Sequence, residues 1–214
     1  MKLKVETVVL GPAQTCCYRL VDEGSGKAWV IDAGWGTKEE LEGLARGAEA
    51  VLITHGHWDH IAGVPYLRSL GLSVWAGEGE EKVWQDGELN GSSRWPILFP
   101  EPLRLHPPDR VLREGDQIPL PQGDLLVLST PGHEPYHVSY LWRDEGERPM
   151  ALFCGDVLFR GSIGRFDLPG ADYDLLMKSI REKILVLPDE VLLFPGHGPA
   201  TSVGVERREN PFLR

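Results

Sequence analysis

The sequence predicts a mixed α/β fold in a single domain that spans residues 1–214. Segments of strand-like apolar character alternate with amphipathic, helix-like segments along the whole chain. No low-complexity linker divides the chain, and one domain with its own core is the default at this length. Alternation alone does not distinguish two packed sheets from one doubly wound parallel sheet, so both architectures stay open at this point.

The element pattern can be placed along the chain. Strands are predicted near 5–10, 17–21, 28–32, 50–53, 117–120, 124–129, 138–142, 151–154 and 191–194. Helices are predicted at 38–44, 60–70 and 172–187. Pro65 should lie in the first turn of the second helix or kink it. Asp172 suits the N-cap of the third, whose apolar face includes Ile180, Ile184 and Leu187.

One stretch has no regular pattern. Residues 85–109 are rich in proline, glycine and tryptophan. We expect an irregular surface excursion near the functional site, and the sequence assigns it no role.

The richest motif is the heptad 54–60, which places three imidazoles and a carboxylate directly after the apolar run 50–53. Open α/β sheets carry their chemistry where strands end. In an extended loop, His55 and His57 point the same way and can share one ion, whereas Asp59 and His60 begin the next helix and can face a second. The alternative is a polar turn with chance histidines. Burying these groups without a metal would leave several lone pairs unsatisfied.

Further metal-binding residue types follow later strands. His133 and His197 each occur in a Pro-Gly-His sequence, and Asp156 follows the apolar run 151–154. Histidine and carboxylate without thiolate suit zinc, iron or manganese. His137 is either an outer hydrogen-bonding partner of this site or a core histidine. Cys154 fits a buried small apolar residue better than a nucleophile.

The ordered set His-x-His-x-Asp-His, Pro-Gly-His, Gly-Asp and Pro-Gly-His resembles the metallo-β-lactamase superfamily over nearly the whole chain. The resemblance implies an αββα four-layer sandwich with two divalent metal ions at one edge. It implies that His55, His57 and His133 bind the first ion, that Asp59, His60 and His197 bind the second, and that Asp156 bridges them. No ligand position is substituted.

Residues 155–167 and 206–214 are similar to the glyoxalase II-like branch, and the short span after His197 is similar to its short, single-domain members. The resemblance implies thioester hydrolysis, with S-D-lactoylglutathione or a related hydroxyacyl thioester as substrate. A metal-bridging hydroxide would attack the carbonyl, and Asp59 would orient it. Arg165 aligns with a glutathione-binding basic residue of the family; the alternative is a surface arginine that pairs with Asp167.

Two other functions are compatible with the pattern. Persulfide dioxygenases share the fold and would hold one iron through His55, His133 and Asp156. A metal-stabilised binding protein without catalysis is the third hypothesis, although a structural site would not need an open centre with seven ligands.

Composition narrows the partners. The 32 acidic and 22 basic residues give a net charge of −10, which disfavours nucleic acids and anionic membranes as partners. Three cysteines do not make a disulfide framework. The N-terminal residues lack the apolar run of an export signal, and we therefore expect a cytoplasmic enzyme acting on a small molecule. No pattern indicates an oligomeric state.

Overall fold

Strands and helices alternate in the computed structural model much as predicted, and the model describes residues 3–214. The chain divides into two compact units, one that ends at Leu112 (unit 1) and one from Arg113 to Arg214 (unit 2). Every predicted strand is present, with ends within two residues of the predicted ones. The mixed α/β class is confirmed. The single functional domain stays a prediction.

Unit 1 is built on a six-stranded mixed sheet. Its strands, in both chain and sheet order, are β1 (Leu3–Leu10), β2 (Thr15–Asp22), β3 (Ala28–Ile31), β4 (Ala48–Leu52), β5 (Val74–Gly77) and β6 (Arg110–Leu112). The first three are antiparallel, and β3 to β6 run parallel. All four residues of β3 are buried, as expected for a central strand covered on both faces.

The helices of unit 1 are α1 (Lys38–Ala45), α2 (Trp58–Ile61), α3 (Val64–Ser69) and α4 (Glu80–Trp84). The continuous helix predicted over 60–70 is wrong, because the helix is interrupted between α2 and α3 at Gly63. A Cβ at Gly63 would lie 2.7 Å from the carbonyl oxygen of Gly34, so this close approach requires glycine. Pro65 falls in the first turn of α3, where its missing N–H costs nothing.

Unit 2 contains a second mixed sheet of six strands and a short hairpin. Its strands are β7 (Gln117–Leu120), β8 (Gly123–Ser129), β9 (Val138–Arg143), β10 (Pro149–Gly155), β11 (Leu158–Phe159), β12 (Ser162–Ile163), β13 (Leu192–Pro195) and β14 (Thr201–Ser202). The sheet order is β14-β13-β10-β9-β8-β7, and β11 pairs with β12. Only the β10–β13 pair is parallel among the described strands of this sheet.

The helices of unit 2 are α5 (Tyr173–Ser179) and α6 (Val203–Glu209). Asp172 caps α5, because its carboxylate accepts a hydrogen bond from the N–H of Leu175 at 2.9 Å. The predicted regular helix to Leu187 is wrong beyond Ser179, where a π-helical turn spans Ile180–Ile184. The N–H of Leu185 bonds to the carbonyl of Ile180, and this wider turn leaves both Ile180 and Ile184 fully buried.

Among the described residues, no helix is both long and apolar enough to cross a membrane.

Candidate metal centre

Four of the predicted ligands lie together in unit 1. His55 and His57 occupy the loop after β4, and Asp59 and His60 lie in α2. The imidazole centroid of His55 lies 4.8 Å from that of His57 and 4.2 Å from that of His60. The His60 Nε2 atom lies 3.7 Å from the Asp59 carboxylate. All three histidines are buried, so the polypeptide collects these donors away from bulk water.

Asp32, at the end of β3, holds two of these histidines. Its carboxylate accepts hydrogen bonds from the N–H and hydroxyl of Thr54, at 2.8 and 2.9 Å, and lies 2.8 Å from His60 Nδ1. The Thr54 hydroxyl also lies 3.1 Å from His55 Nδ1. Since that hydroxyl donates its proton to Asp32, it accepts from His55. The hydrogen-bond network therefore assigns the ring protons of His55 and His60 to Nδ1, which presents Nε2 to a metal.

In the sequence, Asp32 is only the last residue of the predicted strand 28–32, and no role in the site is predicted for it. It adopts a left-handed conformation, with φ of +61°. Its role in holding the site was missed, because its partners Thr54 and His60 lie 22 and 28 positions away. The signal that could have found it is a short acid at a strand end next to the strand that carries the histidines.

The remaining three predicted ligands lie together in unit 2. His133, Asp156 and His197 follow β8, β10 and β13. One carboxylate oxygen of Asp156, Oδ2, lies 3.7 Å from His133 Nε2 and 3.4 Å from His197 Nε2. Two atoms bound to one tetrahedral ion at about 2.0–2.1 Å lie roughly 3.4 Å apart. Each imidazole can therefore share an ion with the same carboxylate.

The backbone around residue 165 positions these side chains. His133 Nδ1 donates to the carbonyl of Arg165 at 2.8 Å, which again leaves Nε2 for a metal. A Cβ at Gly164 would lie 1.8 Å from the carbonyl oxygen of Asp156 and 3.3 Å from the His133 Cβ. Only glycine permits this close approach, which brings the segment of Arg165 against both predicted ligands.

His137 is a buried partner of Asp156. Its Nε2 accepts a hydrogen bond from the Asp156 N–H at 3.3 Å, so its ring proton must be on Nδ1, 2.9 Å from the Thr130 hydroxyl. That hydroxyl in turn lies 2.8 Å from Ser139 Oγ. Both roles that the sequence left open for His137 are present, since it is a satisfied core histidine and hydrogen-bonds the predicted ligand Asp156 from outside the site.

The donor set fits divalent metal ions. It consists of imidazole nitrogens and carboxylate oxygens, and three of the rings have their Nδ1 atoms bonded so that Nε2 is the donor. The family model of the metallo-β-lactamase superfamily matches residues 10–197. The chain belongs to this superfamily. Metal binding by the chain follows from that membership, whereas the identity of the metal does not.

Known members of the superfamily resemble the chain along its whole length. Hydroxyacylglutathione hydrolase GloC from Haemophilus influenzae is 32% identical, over 99% of this chain and 98% of that protein. The crystal structure of BLEG-1, a B3 metallo-β-lactamase, is 38% identical with a TM-score of 0.84, over 98% of this chain and 99% of that one. The crystal structure of TTHA1623 in a di-iron-bound form is 38% identical in sequence, with a TM-score of 0.78, and the match covers 98% of this chain and 100% of that one. The predicted metallo-β-lactamase fold is confirmed.

Two segments that resemble the glyoxalase II-like branch of the superfamily are joined in the structure. Glu206 in α6 is buried and accepts hydrogen bonds from the Gly161 N–H at 2.8 Å and the Thr201 hydroxyl at 2.6 Å. The Asn210 amide bonds to Glu206 at 2.9 Å and to the carbonyl of Ser162 at 3.0 Å. The C-terminal motif therefore anchors the β11–β12 hairpin, which leads directly to Gly164 and Arg165.

The Arg165 side chain takes no part in this anchoring. It is 64% exposed and makes two contacts of 2.9 Å with the equally exposed carboxylate of Asp167. This is the pairing that the alternative interpretation of the sequence predicted. Exposed pairs of this kind are weak, so a ligand carboxylate can displace Asp167.

The three cysteine thiols of the chain take no part in the proposed metal chemistry. Cys16, Cys17 and Cys154 are all buried. Burial raises the pKa of the Cys154 thiol to about 12, and it raises that of Cys17 as well. The Cys154 thiol donates to the carbonyl of Leu158 at 3.3 Å. As the sequence indicated, Cys154 is a buried apolar residue and not a nucleophile.

We expect none of the three cysteines to react with a thiol-specific disulfide reagent in the native protein at pH 8. The thiolate is the reactive species: burial shields all three thiols from the reagent, and the raised pKa values of Cys17 and Cys154 suppress their thiolates. The measurement is absorbance after addition of the reagent with and without 6 M guanidinium as the denaturant, at about the concentration that unfolds stable proteins. Fast reaction of any thiol before unfolding would contradict the expectation.

Proposed function

We propose that the chain is a dinuclear metal-dependent hydrolase that cleaves a hydroxyacyl thioester, with S-D-lactoylglutathione as the first candidate substrate. The observation that carries the proposal is the position of Asp156 Oδ2, within 3.7 Å of one imidazole and 3.4 Å of another. A carboxylate placed in this way suits a bridge between two ions. The resemblance to GloC supports a glutathione thioester as the substrate class.

The proposed ligand assignment follows the superfamily pattern. His55, His57 and His133 would hold the first metal, Asp59, His60 and His197 the second, and Asp156 both. Zinc is the first candidate, and iron and manganese are the alternatives, since the donor types suit all three. The di-iron-bound form of TTHA1623 supports a centre of two ions and keeps iron in consideration.

Two bound divalent ions would lower the pKa of a shared water to about 7 and polarise the thioester carbonyl. The side chains around the ions then have to hold that water in an orientation from which it can attack. Asp59 is suited to this task, because its side chain is 15% exposed and its Oδ2 is held by the Thr15 hydroxyl at 3.3 Å. The oxygen of water bonds to the carbonyl carbon, the C–S bond breaks, and the products are a hydroxy acid and a thiol.

The test is hydrolysis of S-D-lactoylglutathione by protein whose metal content is measured in the same sample. Efficient turnover at two metals per chain is the expected result. No hydrolysis of this or other hydroxyacyl thioesters at full metal loading would overturn the proposal. Oxygen uptake with glutathione persulfide at one iron per chain would instead favour the dioxygenase. Absence of every activity would favour the metal-stabilised binding protein.

We propose in addition that Arg165 binds a carboxylate of the glutathione carrier. Arg165→Gln should then raise KM for S-D-lactoylglutathione about tenfold with little change in kcat, because a charge-assisted hydrogen bond is lost from binding alone. The matched variant Asp167→Asn should lower KM by up to about fivefold, since it removes the competing exposed partner. Steady-state kinetics on both variants checks this. Equal KM values in all three proteins would contradict a substrate-binding role for Arg165.

A further inference from the structure

An aromatic cluster adjoins the ligand loop in unit 1. Trp58, which lies between His57 and Asp59 in the chain, packs against Phe99 and Trp95, each with ring centroids 5.5 Å apart. Phe99 also makes an edge contact with Trp35 at 5.2 Å. We call Trp35, Trp58, Trp95 and Phe99 the aromatic platform. Two of its members come from the irregular segment 85–109, to which the sequence assigned no role.

The platform is fixed to the ligand loop. The backbone N–H of Trp58 donates to the carbonyl of Asn90 at 2.8 Å. The side-chain amide of Asn90, fully buried, donates to the carbonyl oxygens of Val83 at 3.3 Å and Leu103 at 2.9 Å. The segment is therefore more than the surface excursion that was predicted, because its polar interior holds Trp95 and Phe99 on the helix that carries Asp59 and His60.

The platform has a buried layer and an exposed layer. Trp58 and Phe99 are 6% and 8% exposed, whereas Trp35 and Trp95 are 37% and 49% exposed, and the neighbouring Ile97 is 94% exposed. Single exposed apolar residues are common on protein surfaces. Here, however, two exposed indoles pack on buried aromatic rings, and that arrangement keeps rigid apolar area accessible next to the segment that carries His57 and Asp59.

We propose that the aromatic platform binds the acyl group of the substrate and selects hydroxyacyl thioesters with an aromatic or bulky apolar side chain. This inference rests on the proposed function. A lactoyl group offers one methyl to bury, too little to use two indole faces, whereas a phenyl ring can stack on them. The glutathione carrier is rich in charge and would gain little from this surface. Aromatic contacts contribute beyond the apolar area that they bury, so they can decide selectivity.

The test compares kcat/KM for S-D-mandeloylglutathione with that for S-D-lactoylglutathione, in metal-loaded protein. The two thioesters share the carrier and the 2-hydroxyl, and differ by phenyl against methyl. We expect wild-type protein to prefer the mandeloyl thioester. Trp95→Ala should reduce that preference about tenfold, whereas Trp95→Phe should retain most of it. Phe212→Ala, which removes an aromatic ring of similar exposure, 48%, in unit 2, is the matched control and should leave the ratio unchanged.

Trp35→Ala provides a second variant, because it removes the other half-exposed indole and should lower the same ratio. An unchanged ratio in both alanine variants, or an equal loss on both thioesters, overturns the inference while the proposed function stands. Failure of metal-loaded wild-type protein to hydrolyse either thioester overturns the proposed function, and the inference with it.

Discussion

Asp156→Ala is expected to reduce the bound metal from two ions per chain to one or none. It should also lower kcat/KM on a thioester at least about a thousandfold. Asp156 Oδ2 lies 3.7 Å from His133 Nε2 and 3.4 Å from His197 Nε2, so in the proposed assignment its removal takes a ligand from both ions. The metals would contribute several kcal/mol of transition-state stabilisation, and losing it corresponds to a rate decrease of this size.

The measurement is metal content by elemental analysis together with initial rates on the same preparation. Asp174→Ala removes an exposed carboxylate from the first turn of α5 and should bind two ions as the wild type does. Circular dichroism establishes that the Asp156 variant is folded. Two bound ions and a rate within tenfold of wild type would show that Asp156 does not bridge.

Asp32→Ala is expected to lower metal affinity about 10- to 100-fold, the range seen when the outer partners of metal-binding histidines are removed. It should also lower the free energy of unfolding of the metal-free protein by about 3 kcal/mol, because buried donors on Thr54 and His60 lose their acceptor. Two chemically different losses are thus expected from one residue that would touch no metal.

Asp32→Asn separates the two losses. Asparagine tolerates the left-handed conformation of residue 32 and can still accept from one donor, so it should recover part of the stability. Its amide nitrogen cannot accept, and metal affinity should stay below that of the wild type. Urea denaturation of metal-free protein and competitive metal titration give the two quantities. Wild-type affinity in both variants would contradict the role of Asp32.

Much of the candidate site could be predicted from the sequence because its ligands occur in local motifs at strand ends. His55, His57, Asp59 and His60 fall within six residues, and His133, Asp156 and His197 each follow a recognisable apolar run. Strand patterns predicted nine strands to within two residues of their ends, whereas the edge strands β6 and β14 and the strand β5 were not predicted. The ligand assignment to two ions remains a proposal.

The parts that the sequence did not predict depend on contacts between distant residues. Asp32 and His137 are polar residues in apolar surroundings, and only folding shows which backbone and side-chain groups they satisfy. The break at Gly63 depends on the approach of Gly34, 29 positions earlier in the chain. Segment 85–109 lacks periodicity because its order comes from Asn90 and from aromatic packing, neither of which leaves a repeating pattern.

The edge strands of the two sheets affect how readily folded copies of the chain associate. Within residues 3–214, each sheet ends in strands with one partner only, namely β1 and β6 in unit 1 and β7 and β14 in unit 2. β1 carries the charged pair Lys4 and Glu6, β7 contains Pro119, and β6 and β14 are three and two residues long. Charge, proline and short length each oppose the addition of a foreign strand. Fibrillar aggregation by strand addition is therefore disfavoured as long as these edge strands stay paired in their sheets.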